Sequence, residues 1–268
     1  MHIMQQKPTP GKAPIQSLDR GLELLLAVGA AGRQLSLNDL TRVLGVDRSS
    51  VHRLATTLKM KGFFVQDPRD KTYRLGPAIL QLAGQLQQND SLVQSAREVL
   101  QNLARRTRET AHLGVREGTT VVFLDHARGD QALSVASRCG EVAPLHCTAI
   151  GKALIADLAL PQLEALYEHE AAELPAKTSK TIRKLSQLGA ECDRTRRRGF
   201  ATDDEEHEEG VRCAAAPIRD ATGRTVAAIG ISAPASRLPK QRLASFAQSA
   251  LDAAHEVSAA LGYTSLEP

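Results

Sequence analysis

Apolar residues recur every three to four positions in successive segments of the first quarter of the chain, a pattern that predicts short helices. The first helix is expected to begin at Ser17 and to end near Gly29. Ser36, followed by Asp39 three residues later, predicts the start of a second helix, and Gly45 predicts its end. The predicted apolar faces are Leu18, Leu22, Leu25, Leu26 and Gly29 in the first helix, and Leu37, Leu40, Val43 and Leu44 in the second.

A third helix is predicted to follow Asp47, because an aspartate is a favourable N-cap, and to end near Gly62. Two short strands are expected next, at residues 63–66 and 72–75, joined by a turn that contains Pro68. The order helix, helix, turn, helix, hairpin is typical of a winged helix-turn-helix domain. The predicted buried face of the third helix consists of Val51, Leu54, Ala55 and Leu58.

The rest of the chain predicts a linker helix and a second domain of the α+β class. Residues 76–108 have a helical pattern that is interrupted at residues 89–91, and strand-like and helical segments alternate irregularly beyond it. Strands are expected at residues 110–115, 119–125, 133–137, 212–219 and 225–232, and helices at 148–158, 161–167, 181–198 and 240–261. The predicted divisions are a disordered tail (1–14), a winged helix-turn-helix domain (15–76), a linker helix (77–90), a second domain (91–262) and a tail (263–268).

Charge separates the two predicted domains. The 268 residues carry a net charge of +4, but residues 1–76 hold twelve Lys and Arg against six Asp and Glu, whereas the remainder holds 22 against 24. A basic module on a mildly acidic body indicates a nucleic-acid partner, with a solvated basic face as the alternative. The absence of Trp and an aromatic content of 3% argue against stacking on single strands.

Composition also predicts the compartment. No apolar segment approaches the roughly 20 residues of a membrane-spanning helix, and residues 1–11 lack the apolar core of a secretory signal. Four cysteines are too few for a disulfide scaffold in a chain of this length. We therefore expect a cytoplasmic protein with free thiols and no membrane partner.

The third predicted helix has the properties of a recognition helix. On a helical wheel, Ser49, Arg53 and Thr56 lie opposite the apolar face. Small polar residues allow close approach to a major groove, and arginine reads a guanine edge with two hydrogen bonds. The alternative is an ordinary solvated face of a small helical domain. Base-contact candidates are Ser49, Arg53 and Thr56, with Arg48, Ser50 and His52 as further base or phosphate contacts, and phosphate candidates are Arg20, Arg42, Lys59, Lys61, Arg69, Lys71 and Arg74.

Several motifs resemble the IclR family of bacterial transcription regulators. QSLDRGLELL (16–25), SSVHRL (49–54) and YRLG (73–76) resemble its DNA-binding domain. The motifs that resemble its effector-binding domain, in the same order, are ETAHL (109–113), PLHCTAIGKA (144–153), RGFATDDEE (198–206), GVRCAAAP (210–217) and AAIGIS (227–232). The resemblance, which runs from residue 15 to residue 262, implies a winged helix-turn-helix joined by a helical linker to a GAF-like α+β effector-binding domain. It also implies a homodimer, or a homotetramer, that binds palindromic operator DNA.

The second domain has a candidate site for a small organic acid. Thr148 is a good N-cap, and the free amides that follow it favour a carboxylate. The resemblance implies an acid at this place, against the segment that contains Leu145, with further contacts from the sheet. The effector-binding candidates are thus Leu145, Ala149, Ile150, Asp203, Cys213 and Ser232. The alternatives are that Thr148 only caps a helix, that Cys213 is a buried small residue, and that residues 203–209 form a solvated acidic loop.

Gly230 departs from a pattern in which several relatives carry a hydroxyl residue. Loss of that hydroxyl removes a hydrogen bond and is expected to widen the pocket. An acid bulkier than glyoxylate or pyruvate, or an aromatic acid, therefore stays open.

Catalysis and metal binding are weaker interpretations of the same residues. Cys213 could act as a nucleophile with His146 or His207 as its base, but no nucleophile motif surrounds it. Cys139 with His146 and Cys147 gives a spacing that is unusual for zinc, and neighbouring residues of a strand face opposite ways. We therefore predict no enzymatic activity, no cofactor and no metal.

The sequence as a whole predicts a sequence-specific DNA-binding transcription regulator whose operator binding is modulated by a small carboxylated metabolite. Its expected partners are double-stranded operator DNA, the organic acid and a second copy of the chain. The alternative from another class is a metabolite sensor that controls a partner protein, with the basic domain as its docking module.

Overall fold

The computed structural model describes residues 15–89, 91–135, 138–168 and 173–264, and the chain divides into two compact units, the first of which ends at Asn89. The first unit is the predicted winged helix-turn-helix. Its elements are α1 (Gln16–Ala30), α2 (Leu37–Leu44), α3 (Arg48–Met60), β1 (Phe64–Gln66), β2 (Tyr73–Leu75) and α4 (Pro77–Asn89). The antiparallel β1–β2 hairpin is the wing.

Helix caps position α3. Ser36 and Asp39 form a complete capping box at the start of α2, and Gly45 ends that helix with a left-handed φ of 62°. The Asp47 carboxylate accepts a hydrogen bond from the Ser50 amide at 2.9 Å. The prediction that Ser17 caps α1 is wrong, because that helix begins one residue earlier, with no side-chain cap at its start.

The predicted apolar face of α1 is wrong as well. Leu18, Leu22 and Leu26 are each at least half exposed, whereas Leu24 and Val28 are buried. Apolar residues surround most of this helix, so their spacing alone does not select the face that packs against α2 and α3. Val43 of α2 is likewise exposed. The core of this unit consists of Leu24, Val28, Leu35, Leu40, Val51, Ala55, Phe64 and Tyr73.

The second unit is an α+β domain around one six-stranded antiparallel sheet with strand order β5-β4-β3-β8-β7-β6. Residues of α5 and α9 share a hydrophobic cluster on one side of the sheet, and residues of α6, α7 and α8 share a second cluster. Its elements are α5 (Ser91–Thr107), β3 (Thr110–Glu117), β4 (Thr120–Ala127), β5 (Val142–Pro144), α6 (Ala149–Leu154), α7 (Leu160–Leu166), α8 (Leu185–Arg198), β6 (Ala201–Asp204), β7 (Val211–Arg219), β8 (Thr225–Pro234) and α9 (Lys240–Ala260).

Both edge strands differ from the expectation. The strand predicted at residues 133–137 is absent from residues 133–135, and residues 136–137 lie outside the described part of the chain. The edge is formed by β5 instead, and β6, which was not predicted, includes the start of the segment for which a solvated acidic loop was the alternative. Such short strands hold too few residues for an alternating pattern to stand out. The helix predicted at residues 181–198 begins only at Leu185.

Small residues let α6 lie close to the sheet. His112, Gly230, Ala215 and Ala201 are register partners across β3, β8, β7 and β6, so their side chains share one face. A Cβ atom added at Gly230 would lie 3.2 Å from Cγ1 of Ile150 and 2.8 Å from Cβ of Ala215. The absence of a side chain at Gly230 is therefore what allows α6 to pack this close to the sheet. Within the described residues, no helix is long and apolar enough to cross a membrane.

We predict that Gly230→Ala lowers the free energy of unfolding by roughly 1–3 kcal/mol, because the added methyl group overpacks this contact. Chemical unfolding of the full chain measures it. The control is Gly189→Ala in α8, where a Cβ atom meets Leu160 at 3.4 Å and Leu163 at 3.9 Å, both ordinary contacts, so that helix propensity should make it neutral or slightly stabilising. Equal effects of the two substitutions would contradict the packing role of Gly230.

Candidate functional site

The solvent-facing side of α3 carries the predicted base-contact residues. Val51 and Ala55 are buried, while Ser49, His52 and Arg53 are exposed and Thr56 is half-buried. Within the described part of the chain, no side-chain hydrogen bond holds Arg53 or His52. The two longest side chains on this face are thus free to reach a base edge.

The start of α3 is held by its own contacts. The Arg48 guanidinium donates to Asn38 Oδ1 at 2.8 Å, and the Ser49 hydroxyl donates to Asp47 Oδ1 at 2.6 Å. Hydrogen bonds from Ser49 and Ser50 lower the pKa of Asp47 well below its usual value, which keeps the cap ionised. Of these residues, Arg48 and Ser49 are exposed and Ser50 is half-buried. This arrangement fixes the helix start that would face a phosphate.

Further basic residues lie near the end of α3 and on two other elements of the same unit. Arg74 is exposed on β2, and Lys59 near the end of α3 donates to Gln66 Oε1 at 3.2 Å. Arg20 on α1 is half-buried. The wing and the recognition helix therefore both present cations, which is the charge arrangement that phosphate contacts need.

The second unit contains a partly open cavity of about 120 Å³ between the sheet, the start of α6 and the loops that follow β4 and β6. Thr110, Ser232, Cys213 and Asp203 are register partners across β3, β8, β7 and β6, so they form a polar row on one face of the sheet. The last three line the cavity, and the Cys213 Sγ and Ser232 Oγ atoms are 3.1 Å apart. Apolar walls are supplied by Phe123, Val135, Val142, Ala143, Val211 and Ile231.

His112 faces this cavity from the next row of the sheet. Its ring is almost fully buried against Phe123, and neither ring nitrogen has a hydrogen-bond partner among the described residues. Burial, together with His126, lowers its pKa to about 3, so the imidazole is neutral. A neutral imidazole offers one donor and one acceptor to a bound molecule.

Asp203 is the buried carboxyl group of the site. It is 2% exposed, and its Oδ1 accepts a hydrogen bond from the Glu206 amide at 2.7 Å. Burial, together with the negative charge of Glu206, raises its pKa to about 7. Lys152 of α6 is buried and pairs with Glu206, which partly offsets that charge. Near neutral pH, Asp203 is therefore protonated in a large fraction of molecules and can donate a hydrogen bond.

The start of α6 forms the opposite wall. Thr148 caps it as predicted, accepting from the Gly151 amide at 3.1 Å and donating to the Pro144 carbonyl at 2.8 Å. Ala149 and Ile150 line the cavity. Their amides belong to the first turn, which has no preceding turn to accept from them.

Two sequence inferences about the cavity need correction. Leu145 lies fully buried in the apolar cluster beneath α6 and outside the cavity lining. Gly230 is also outside the lining and admits Ile150, so its lack of a side chain does not widen the cavity. His112 and Phe123 were missed, although the alternation of Thr110 and His112 with the apolar Ala111 and Leu113 predicts a polar face on β3.

The catalytic alternative is disfavoured by the state of the thiol, although His207 lines the same cavity as Cys213. Burial and the nearby Asp203 raise the pKa of the Cys213 thiol well above its usual value, which disfavours a nucleophilic thiolate. His146 Nε2 lies 3.0 Å from the Pro175 carbonyl. The cysteine–histidine set considered from the sequence does not form a metal-binding group in this part of the chain.

Comparisons with known proteins agree over most of the chain. The model of the bacterial transcriptional regulator IclR C-terminal domain matches residues 85–259, and that of the IclR helix-turn-helix domain matches residues 17–68. The chain is 34% identical over 249 residues to the HTH-type transcriptional regulator XynR of Escherichia coli (strain K12), covering 93% of this chain and 98% of XynR.

Solved structures show the same fold. The Thermotoga maritima IclR structure superposes with a TM-score of 0.77 at 28% identity, over 93% of this chain and 100% of the other. An IclR homologue from Microbacterium hydrocarbonoxydans, complexed with 4-hydroxybenzoate, gives a TM-score of 0.77 at 22% identity, over 91% and 98%. At 22% identity, the similarity to the Microbacterium hydrocarbonoxydans homologue shows a shared fold and no more.

We predict that Asp203→Asn stabilises the protein at pH 8, by on the order of 4 kcal/mol at most, and that the gain disappears as the pH falls from about 7 to about 4. The folded state holds the Asp203 proton more tightly than the unfolded state does. Raising the pH through this window therefore lowers the free energy of unfolding of the parent protein. The Asp203→Asn variant carries a neutral amide at this position, so its free energy of unfolding does not fall for this reason. Urea unfolding at several pH values measures the difference.

The control for this prediction is Asp193→Asn on the exposed side of α8, for which no such pH-dependent gain is expected. A gain for Asp203→Asn that is the same at pH 5 and pH 8 would contradict the raised pKa.

Proposed function

The chain belongs to the IclR family of DNA-binding transcriptional regulators, and from that premise we propose that α3 reads operator DNA and that the cavity of the second unit holds a small carboxylic acid which changes operator affinity. The observation that carries the effector half of this proposal is the buried polar side of the cavity. There, the unpartnered His112 ring, the Cys213–Ser232 pair and Asp203, which its raised pKa of about 7 keeps protonated in a large fraction of molecules near neutral pH, surround a small space.

The chemistry of this lining favours a carboxylate. The hydroxyl of Ser232, the acid proton of Asp203 and one nitrogen of His112 are available donors, and the amides of Ala149 and Ile150 add two more from the other wall. A carboxylate is an acceptor-only group, so it satisfies several such donors at once. The volume of about 120 Å³ is below the roughly 300–1,000 Å³ of pockets for drug-sized ligands, which favours a small acid.

The apolar walls bear on which acid is bound. Phe123, Val142 and Val211 face the polar row, so the part of the effector that carries no charge would pack against them. The homologue in complex with 4-hydroxybenzoate motivates the inclusion of aromatic hydroxy acids beside 2-oxo acids. We propose no further restriction within this class.

The DNA half of the proposal rests on the exposed face of α3 and on the basic charge of its domain. Arg53 is the proposed guanine reader, with Ser49 and Thr56 beside it. Arg48, Ser50 and His52 are proposed to add base or phosphate contacts, and Arg20, Lys59 and Arg74 to contact phosphates. A second copy of the chain would supply the second half-site of a palindromic operator.

Effector and operator are coupled in this proposal through α4 and α5, the helices that connect the two units along the chain. Coupling of two binding sites is reciprocal, so operator DNA must change effector affinity by the same factor as the effector changes operator affinity. Identical effector affinities with and without operator would therefore refute the regulatory part of the proposal.

We predict that Arg53→Ala weakens specific operator binding by roughly 1–3 kcal/mol and relaxes sequence preference, because a bidentate base contact is lost. Gel-shift titrations with the DNA upstream of the gene and with random DNA, at one stated salt concentration, measure it. Arg197→Ala, in the second unit, is the control and should leave both affinities unchanged. Equal weakening on both DNAs would assign Arg53 to a phosphate.

We predict that a small organic acid raises the melting temperature of the parent protein, as saturation of a native-state site requires. The matching amide of that acid should give no shift in melting temperature. The cavity lining supplies hydrogen-bond donors, and the NH2 group of the amide is itself a donor where the acid has an acceptor. A thermal-shift screen of 2-oxo acids and hydroxybenzoates measures both.

Asp203→Ala, which removes the donor, should reduce the shift produced by the acid while leaving basal operator binding intact. Asp193→Ala is the matched control and should behave as the parent does. A shift that is equal for acid and amide would exclude carboxylate recognition.

A further inference from the structure

Three side chains at the edge strand β4 bring metal-ligating atoms together beside the cavity. None of the three lines the cavity, but His126 is the register partner of His112, which does. Asp125 and His126 lie near the end of β4, and Cys139 lies in the loop that leads to β5. One ligand atom from each residue falls within 4.8 Å of the others, the only such group of three in the described residues. We refer to Asp125, His126 and Cys139 as the edge cluster.

The backbone holds the loop of the edge cluster against β4. The Gly140 amide donates to the Phe123 carbonyl at 2.7 Å, and the Phe123 amide donates to the Glu141 carbonyl at 3.0 Å. Gly140 has a φ of 79°, a left-handed conformation that lets this tight turn form. The position of Cys139 beside the strand is therefore set by main-chain hydrogen bonds.

The Asp125 carboxylate turns back along the strand toward His126. The β3–β4 pairing slips by one residue between Leu113 and Gly114, so that Leu124 is the extra residue of a β-bulge that bends the strand just before the edge cluster. Asp125 and His126 themselves are in regular register with Leu113 and His112. The Asp125 Oδ1 accepts from the His126 amide at 2.9 Å, which holds the carboxylate beside its neighbour.

The spacing of the donors suits a tetrahedral cation. Cys139 Sγ and His126 Nδ1 are 3.8 Å apart. Zinc bonds of about 2.3 Å to sulfur and 2.0–2.1 Å to nitrogen place two such tetrahedral ligands about 3.6 Å apart. Thiolate, imidazole and carboxylate are the ligand set of zinc, whereas calcium and magnesium require oxygen ligands.

We propose that the edge cluster binds Zn²⁺, or a divalent cation with the same preference for nitrogen and sulfur ligands. Cys139 is exposed, so a water molecule completes the tetrahedron and the cation exchanges with solvent. Arg97 now neutralises Asp125, with its Nε 3.4 Å from Oδ2, but this arginine is more than half exposed and can swing into water. The cation replaces that weak ion pair.

Catalysis is not the better interpretation of this group. Partial burial and the neighbouring Asp125 raise the pKa of the Cys139 thiol, which makes the free thiol a poor nucleophile. A cation that binds the thiolate directly overcomes this penalty, whereas a histidine base at 3.8 Å does not.

The test is titration of Zn²⁺ into the tag-free, full-length protein in competition with a chromophoric chelator, followed by the absorption spectrum with Co²⁺. We expect one Zn²⁺ per chain and a near-ultraviolet thiolate-to-cobalt band. Cys139→Ser and His126→Gln should each weaken Zn²⁺ binding by at least about tenfold, and Cys139→Ser should abolish the band. His255→Gln, an exposed histidine of α9, is the control and should change neither.

Arg97→Ala distinguishes the loss of a zinc ligand from the loss of the fold, because it should not lower Zn²⁺ affinity as the ligand substitutions do. Removal of the competing guanidinium should leave Zn²⁺ affinity equal or raise it, whereas loss of fold would lower it. The proposal is overturned if the parent binds no Zn²⁺, or if Cys139→Ser and His126→Gln bind it as tightly as the parent does. Either result leaves the proposed operator and organic-acid functions untouched.

Discussion

The close approach of α6 to the central sheet is the constraint on which the second unit depends. Gly230 and Ala215 leave room for Ile150, and Gly151 packs so tightly that a Cβ atom there would lie 2.4 Å from the Leu145 backbone. Because protein interiors are close-packed, such a contact leaves little freedom to shift. The start of α6 is therefore held opposite the polar row of the sheet, and the gap between them is the cavity.

The same close packing sets the electrostatics of the cavity. With α6 in place, Lys152 is buried and must pair with Glu206, while Asp203 and His112 lose most of their water. Burial favours the neutral form of both groups, which converts a carboxylate into a donor and leaves the imidazole uncharged. A buried polar group without a partner is costly, so His112 is poised to gain from a ligand. This polar lining therefore stabilises the folded protein less than an apolar lining would.

Local signals predicted much of the first unit, and they did so where short-range chemistry decides the structure. The capping box at Ser36, the Asp47 cap and the αL turn at Gly45 each depend on residues within four positions of one another. The exposed leucines of α1 show the limit of such reasoning. When apolar residues surround a helix, only the shape of the neighbouring helices decides which of them are buried, and that shape is not local.

The sequence by itself determined the family motifs, the two-part division of charge, the order of most helices and strands, and the cap at Thr148. Tertiary structure alone decided which residues share a row of the sheet. Asp203, Cys213 and Ser232 come from three strands, and His112 joins them from a fourth. Register across strands depends on contacts between residues more than a hundred positions apart, such as Thr110 and Ser232, which no local pattern encodes. For the same reason the spacing of the residues did not predict the edge cluster, which the end of β4 and a returning loop form together.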